Sequence, residues 1–224
     1  MRLIQKLLFA IAALSFAATG ATASPAAPQN GVEYQTLQDA QTTDAGSKVE
    51  VIEFFSYACP HCYAFEPMLA AWSKKNGDKV SFKRIHVGFN AGDLPLQRMF
   101  ATLEAMGVTE QHHAKAFSAI HEERQRLNSD EGIFDWASRS GIDRDKFVSA
   151  YRSFGTQVRV NRLKAMTDAY RVDNWPRIAV AGKYITTPFL ASSSVQPQPS
   201  EKEQQQMALQ VMDHLVAKAK AEKK

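Results

Sequence analysis

One stretch limits the possible folds more than any other. Val49-Glu50-Val51-Ile52-Glu53-Phe54-Phe55 is largely apolar on both alternating faces, and Cys59-Pro60-His61-Cys62 follows almost at once. A strand with that pattern needs cover on both sides, as a central strand of a layered sheet has. Beyond the cysteines, Phe65, Met68, Leu69 and Trp72 recur at helical spacing, and Asn76-Gly77 closes the segment. Residues 80–87 form a second apolar strand. Strand, helix, strand in this order predicts a βαβ unit with parallel strands.

The next eighty residues have a different character. Leu96, Met99, Phe100 and Leu103 form one helical stripe; Phe117, Ile120 and Leu127 form another, after a Thr109 cap. Ile133, Phe134, Trp136 and Ala137 begin a short helix ending near Gly141. Asp143 caps a helix carrying Phe147, Val148 and Tyr151, and Val160, Leu163, Thr167 and Tyr170 continue the pattern after Gly155. This predicts an all-helical block inserted after the βαβ unit. Strand character returns at 177–180, with Ala181-Gly182 as the turn of a hairpin to 183–186. A polar linker, 192–200, leads to an amphipathic helix over 201–220. Residues 32–37 read as an edge strand.

The N-terminus reads as an export signal. Arg2 and Lys6 precede an apolar run of ten residues, 7–16, and Ala21-Thr22-Ala23 fits a cleavage site, so residues 1–23 are expected to be removed. The apolar run is shorter than the roughly 20 residues that span a bilayer. The formal charge of +4 falls to +2 without Arg2 and Lys6, leaving 25 basic against 23 acidic residues, which makes no case for nucleic acid.

In an exported chain of 224 residues, two cysteines three positions apart call for explanation. A disulfide between residues i and i+3 closes a tiny loop and stabilises little. A zinc site would need a second Cys-x-x-Cys or a His pair at ligand spacing, and Tyr63 stands where covalent haem attachment requires His. His112-His113, adjacent on a helix, read as a packed or solvated pair. Redox chemistry remains. Cys59 opens a helix, where free N–H groups and a partial positive charge favour a thiolate. Pro60 suits the first turn, and His61 adds positive charge beside the sulfur. Together they predict a Cys59 pKa well below the ordinary value of about 8.5. A stabilised reduced form makes the disulfide a stronger oxidant.

Residues 51–67, VIEFFSYACPHCYAFEP, resemble the periplasmic disulfide oxidases of the DsbA family, in the thioredoxin superfamily. The resemblance implies an α/β fold: a thioredoxin-like domain from 24–92 and 171–224 interrupted by a helical domain, 93–170. It implies a periplasmic monomer that needs no cofactor or metal beyond its Cys59–Cys62 disulfide. It would oxidise reduced secreted proteins and be recharged by a quinone-linked membrane oxidase of the DsbB type. Carried over residue by residue, Cys59 is the nucleophile, Cys62 its buried partner and Pro60-His61 the tuning pair. Glu53 is a buried acid that moves protons for the cysteines, with Glu66 and Arg84 nearby. Pro176 is a cis-proline facing the cysteines. The family usually has Val or Thr before that proline; Trp175 departs from this and is expected to narrow the substrate groove. A reductase or isomerase and a peptide-binding chaperone are the competing readings. The Pro-His pair, and the lack of room for a dimerisation domain before the first strand, argue against the former.

Overall fold

The computed structural model describes residues 23–223, so the export-signal reading lies outside the described residues except for Ala23. Strand β2, Val49–Phe55, is buried at every position and forms the centre of the molecule. It pairs in parallel with β3, Val80–His86, across helix α1, Pro60–Lys75, as the βαβ pattern requires. On its other side β2 pairs antiparallel with β4, Arg177–Val180, which forms the hairpin with β5, Tyr184–Thr186. The edge strand β1 is only Gln35–Thr36, shorter than the six residues expected, and pairs antiparallel with β5. The sheet order is β1-β5-β4-β2-β3.

Five helices separate β3 from β4: α2 Leu94–Met106, α3 Thr109–His121, α4 Asp130–Arg139, α5 Arg144–Tyr151 and α6 Phe154–Ala169. Asp143 caps α5 as expected, accepting from the Lys146 N–H at 2.9 Å. Other ends differ from the sequence reading. Thr109 is the first residue of α3, not its cap. Ser153 caps α6 through the Thr156 N–H, so that helix starts before Gly155. Leu127 lies beyond α3 in the loop before α4 yet is buried, since an apolar side chain can reach a core from a loop as well as from a helix. A short helix, α7 Pro188–Ala191, and the long α8, Glu201–Glu222, complete the chain.

The pattern of β2 produces two cores. Val49 and Val51 pack with Phe65, Leu69 and Trp72 of α1 and with Val211, Met212 and Leu215 of α8. Ile52, Phe54 and Phe55 pack with the helical block through Phe100, Phe117 and Tyr170. Phe55 is fully buried and lies within 5.0–5.8 Å, centroid to centroid, of Tyr57, His86, Phe100, His113 and Phe117. It therefore couples the strand that ends at the cysteines to the helices above them. Phe55→Ala is expected to cost about 3–5 kcal/mol of unfolding free energy, read from urea denaturation.

Candidate active site

Cys59 sits at the end of the β2 turn with an extended backbone, φ −86° and ψ 116°, as the N-cap of α1. Pro60 follows as the first helical residue, where its missing N–H leaves no hydrogen bond unmade. The Cys62 N–H donates to the Cys59 sulfur at 3.2 Å. Cys59 retains 8% exposure, whereas Cys62 has none. One sulfur can therefore be reached from outside, and the other only from within.

The two thiols, both free in this structure, are electrostatically unequal. Cys59 is lowered to about 7, by the Cys62 thiol hydrogen bond first, against the penalty of partial burial, and then by the Cys62 and His61 backbone N–H groups and the His61 charge. Cys62 is pushed far up by burial, by its hydrogen bond to Cys59 and by the Cys59 and Glu53 charges. The direction for Cys59 is the one expected, but the drop is shallower. Burial of the sulfur opposes the hydrogen bonds. His61 Nδ1 lies 2.8 Å from Glu201 Oε1 at the start of α8, and that carboxylate raises the His61 pKa. The His61 charge still lowers Cys59, as the weakest of the influences named.

Across from the sulfur, the Trp175–Pro176 bond is cis, and the Trp175 carbonyl oxygen lies 4.0 Å from Cys59 Sγ. The Trp175 ring stacks on Phe89, centroids 5.1 Å apart and 12° from parallel, and Phe89 is 54% exposed. A groove of about 380 Å³ runs beside them, lined by His61, Trp175, Pro176, Pro188, Phe189 and Glu201 among others. Phe189 is 67% exposed, so the groove is walled by uncovered aromatic surface.

Beneath the cysteines lies a buried charge cluster. Glu53, from β2, is fully buried. Its paired neighbour in the β3 register is Arg84, whose Nε lies 3.4 Å from Glu53 Oε2. Arg84 also donates to Glu66 on α1 at 3.0 Å and to Glu110 on α3 at 2.8 Å. Against the penalty of burial, Glu66, Glu53 and Glu110 hold Arg84 charged. Glu53 is raised to about 8, by burial first and then by Glu66, with Arg84 opposing and Cys59 adding to the rise. Glu53, Glu66 and His113 offer ligand atoms within 4.8 Å of one another, the geometry of a metal site. The same two carboxylates already face the Arg84 guanidinium, which serves as the cation of the cluster.

The Cys62 N–H and the Trp175 carbonyl lie against the Cys59 sulfur, Pro60 and His61 follow it in the first turn of α1, and the Glu53 charge acts on both sulfurs, with Arg84 and Glu66 beyond it. Several participants were not foreseen. Tyr57 donates its N–H to His86 Nε2 at 3.1 Å and meets His113 Nδ1 through its hydroxyl at 2.9 Å. Burial drives His86 down to about 3, so it stays a neutral acceptor. His112 and His113 face different ways, His112 edge-on to Trp136 and His113 into the cluster. Glu201 carried one signal, an acid in the first turn of the last helix; His113 stood out only as half of a histidine pair, and nothing in the sequence marked Tyr57 or Glu110.

A Cys-x-x-Cys pair at the head of a helix on this sheet defines a thiol–disulfide oxidoreductase of thioredoxin type. Residues 50–199 match the DSBA-like thioredoxin domain. The thiol:disulfide interchange protein DsbA of Burkholderia cepacia is 40% identical over 181 residues, 80% of this chain and 85% of that protein. Its counterpart in Bordetella parapertussis is 37% identical over 210 residues, 94% and 95% of the two chains. The crystal structure of Pseudomonas aeruginosa DsbA superposes with a TM-score of 0.76 at 34% identity, covering 85% of this chain and 94% of that one. The chain belongs to the DsbA-like thioredoxin family of thiol:disulfide oxidoreductases.

The buried acid has a consequence for stability. Its folded pKa of about 8 lies above its ordinary 4.5, so the protein is most favoured with Glu53 protonated. That contribution is complete below the unfolded value and is lost as pH rises towards 8. Glu53→Gln, which cannot ionise, is therefore expected to gain a few kcal/mol on the parent between pH 4.5 and 8 and then to stay level. Urea melts across that range check it.

Proposed function

We propose that Cys59 is the sulfur that exchanges with substrate and Cys62 the one that closes or releases it. The observation that carries this reading is the pair of contacts at Cys59: the Cys62 N–H at 3.2 Å on one side and the Trp175 carbonyl at 4.0 Å on the other. A substrate thiolate attacks Cys59 in the enzyme disulfide. Cys62 leaves, and a mixed disulfide forms. A second substrate thiol then attacks the substrate sulfur, and Cys59 departs as a thiolate. The lowered Cys59 pKa makes it the better leaving group of the two, and burial hides Cys62 from the substrate. Pro60 sets the first turn of α1, and His61, held by Glu201, borders the groove.

Glu53 is the acid that supplies and takes back the Cys62 proton. It is fully buried, raised to about 8, and near enough for its charge to act on both sulfurs. Pro176 and Trp175 bind the substrate backbone, with the stacked Trp175–Phe89 wall narrowing the approach. The clients are reduced, incompletely folded secreted proteins, which suits a groove that sets Trp175, Pro188 and Phe189 beside polar side chains such as Asn174, Gln204 and Gln205. No cofactor beyond the disulfide takes part.

The protein acts in the periplasm as a monomer and is recharged by a quinone-linked membrane oxidase of the DsbB type. The leader-like residues 1–23 support the compartment. No helix among the described residues is long and apolar enough to cross a membrane. The thioredoxin-like domain comprises 24–92 and 171–224, and the helical domain 93–170.

Cys59→Ser is expected to abolish disulfide transfer to a reduced peptide. Cys62→Ser, with Cys59 first activated by a small aromatic disulfide, is expected to accumulate a mixed disulfide with that peptide on non-reducing gels. Undiminished activity of Cys59→Ser would favour a peptide-binding role without redox chemistry.

A further inference from the structure

The groups packed between β2, β3, α1 and α3 form a buried polar cluster that reaches the surface through Arg84 and its exposed partner Glu110. Glu53 has no exposure, His113 has 2%, Glu66 7% and Arg84 8%. Two carboxylates share one buried guanidinium there, and they are not held alike. Glu66 receives Arg84 Nη2 on Oε1 at 3.0 Å and faces His113 Nε2 with Oε2 at 3.3 Å. Glu53 has a single approach, from Arg84 Nε at 3.4 Å; neither this contact nor the Glu66–His113 approach is an aligned hydrogen bond, so what sets Glu66 apart is the Arg84 Nη2 bond on Oε1 together with a ring nitrogen facing Oε2. Like charges this close do not ionise together readily, and charge settles where donors are more numerous.

The tautomer of His113 decides whether Glu66 Oε2 faces an N–H or a lone pair across those 3.3 Å. Its Nδ1 lies 2.9 Å from the Tyr57 hydroxyl. When the hydroxyl donates to Nδ1, the ring proton sits on Nε2 and points to Glu66. The opposite tautomer would turn a lone pair towards Glu66 Oε2 and favour a proton on that oxygen instead. Burial holds His113 in its neutral, single-proton form, against the pull of Glu66. The remaining charged neighbours are Arg84 and Glu110, which pair with each other at 2.8 Å, and His86, which is neutral and accepts from the Tyr57 N–H.

We propose that His113 is a positioning residue for proton transfer at the cysteines: its Nε2–H, fixed by the Tyr57 hydroxyl on the other ring nitrogen, keeps the negative charge on Glu66 and the exchangeable proton on Glu53. The inference rests on the reading of Glu53 as the acid that serves Cys62. When the substrate thiolate attacks Cys59, the S–S bond breaks and Cys62 leaves with its electron pair. Its sulfur takes the proton from the Glu53 carboxyl, which becomes a carboxylate. During recharging Cys59 is held in a mixed disulfide with a thiol of the recharging oxidase; Cys62 returns its proton to Glu53, its sulfur attacks Cys59, the Cys59–oxidase S–S bond breaks, and the oxidase sulfur leaves as a thiolate. His113 neither gains nor loses a proton in the cycle. It determines which of two neighbouring acids holds it.

Nitrogen-15 NMR of the reduced protein at neutral pH tests this directly, with His113 assigned by its absence in His113→Gln. The expected tautomer is Nε2–H; an Nδ1–H tautomer overturns the proposal without any variant having to fold. Carbon-13 titration of the Glu53 carboxyl, assigned by Glu53→Gln, gives a second readout. His113→Leu is expected to lower the Glu53 midpoint by about half a pH unit or more, while His113→Gln, which keeps an N–H donor, leaves it in place. A folded His113→Leu with an unmoved Glu53 midpoint also overturns it. Failure of the underlying reading looks different: Glu53 and His113 titrate as described, but Glu53→Gln leaves the pH profile of disulfide exchange unchanged.

Discussion

The Cys62 N–H pointing at the Cys59 sulfur is the contact on which the chemistry depends. It exists because β2 ends, turns and starts α1 within five residues, so that Cys59 becomes the cap of a helix. The same turn places Cys62 one helical step inward, where it is fully buried. A single local geometry thus makes one sulfur acidic and accessible and the other inert until the first is attacked. In the proposed exchange this asymmetry sets the direction, because the thiolate is stabilised on the sulfur assigned to leave.

The rest of the fold holds this turn in place and supplies what it lacks. The two cores on either side of β2 fix the strand, and Phe55 ties its end to the helical block. The antiparallel β4 brings Trp175 and Pro176 opposite the sulfur. The strand also carries Glu53 into the interior, where an isolated carboxylate would be costly. Arg84, its register neighbour on β3, offsets part of that cost, and the rest appears as a raised Glu53 pKa, the property a proton carrier for a buried thiol needs.

Much of this was legible in the sequence because it is local or periodic. The two-sided apolar pattern of β2, the Cys-Pro-His-Cys turn and the helical stripes between β3 and β4 each reflect short-range constraints. Helix ends at Thr109 and Gly155 were misplaced because capping depends on which hydroxyl reaches a free N–H, which spacing alone does not determine. His61 acts on Cys59 as its position suggests, but its partner Glu201, 140 residues later, is not legible from spacing. The roles of His113, Tyr57 and Glu110 arise only when α3 packs over β2 and β3. No sequence pattern encodes the meeting of residues so far apart, and a pair of adjacent histidines looks the same whether one of them enters a charge cluster or neither does.

If the helix start governs the chemistry, the Cys59 thiolate is an abundant form of the reduced enzyme near neutral pH. Ultraviolet absorbance of the reduced protein against pH, with Cys59→Ser as the control, measures this directly. The expected thiolate titrates at about 7 or lower and vanishes in the control. A midpoint at the free-cysteine value of about 8.5 would contradict it, since the hydrogen bonds at the head of α1 would then contribute nothing to the chemistry.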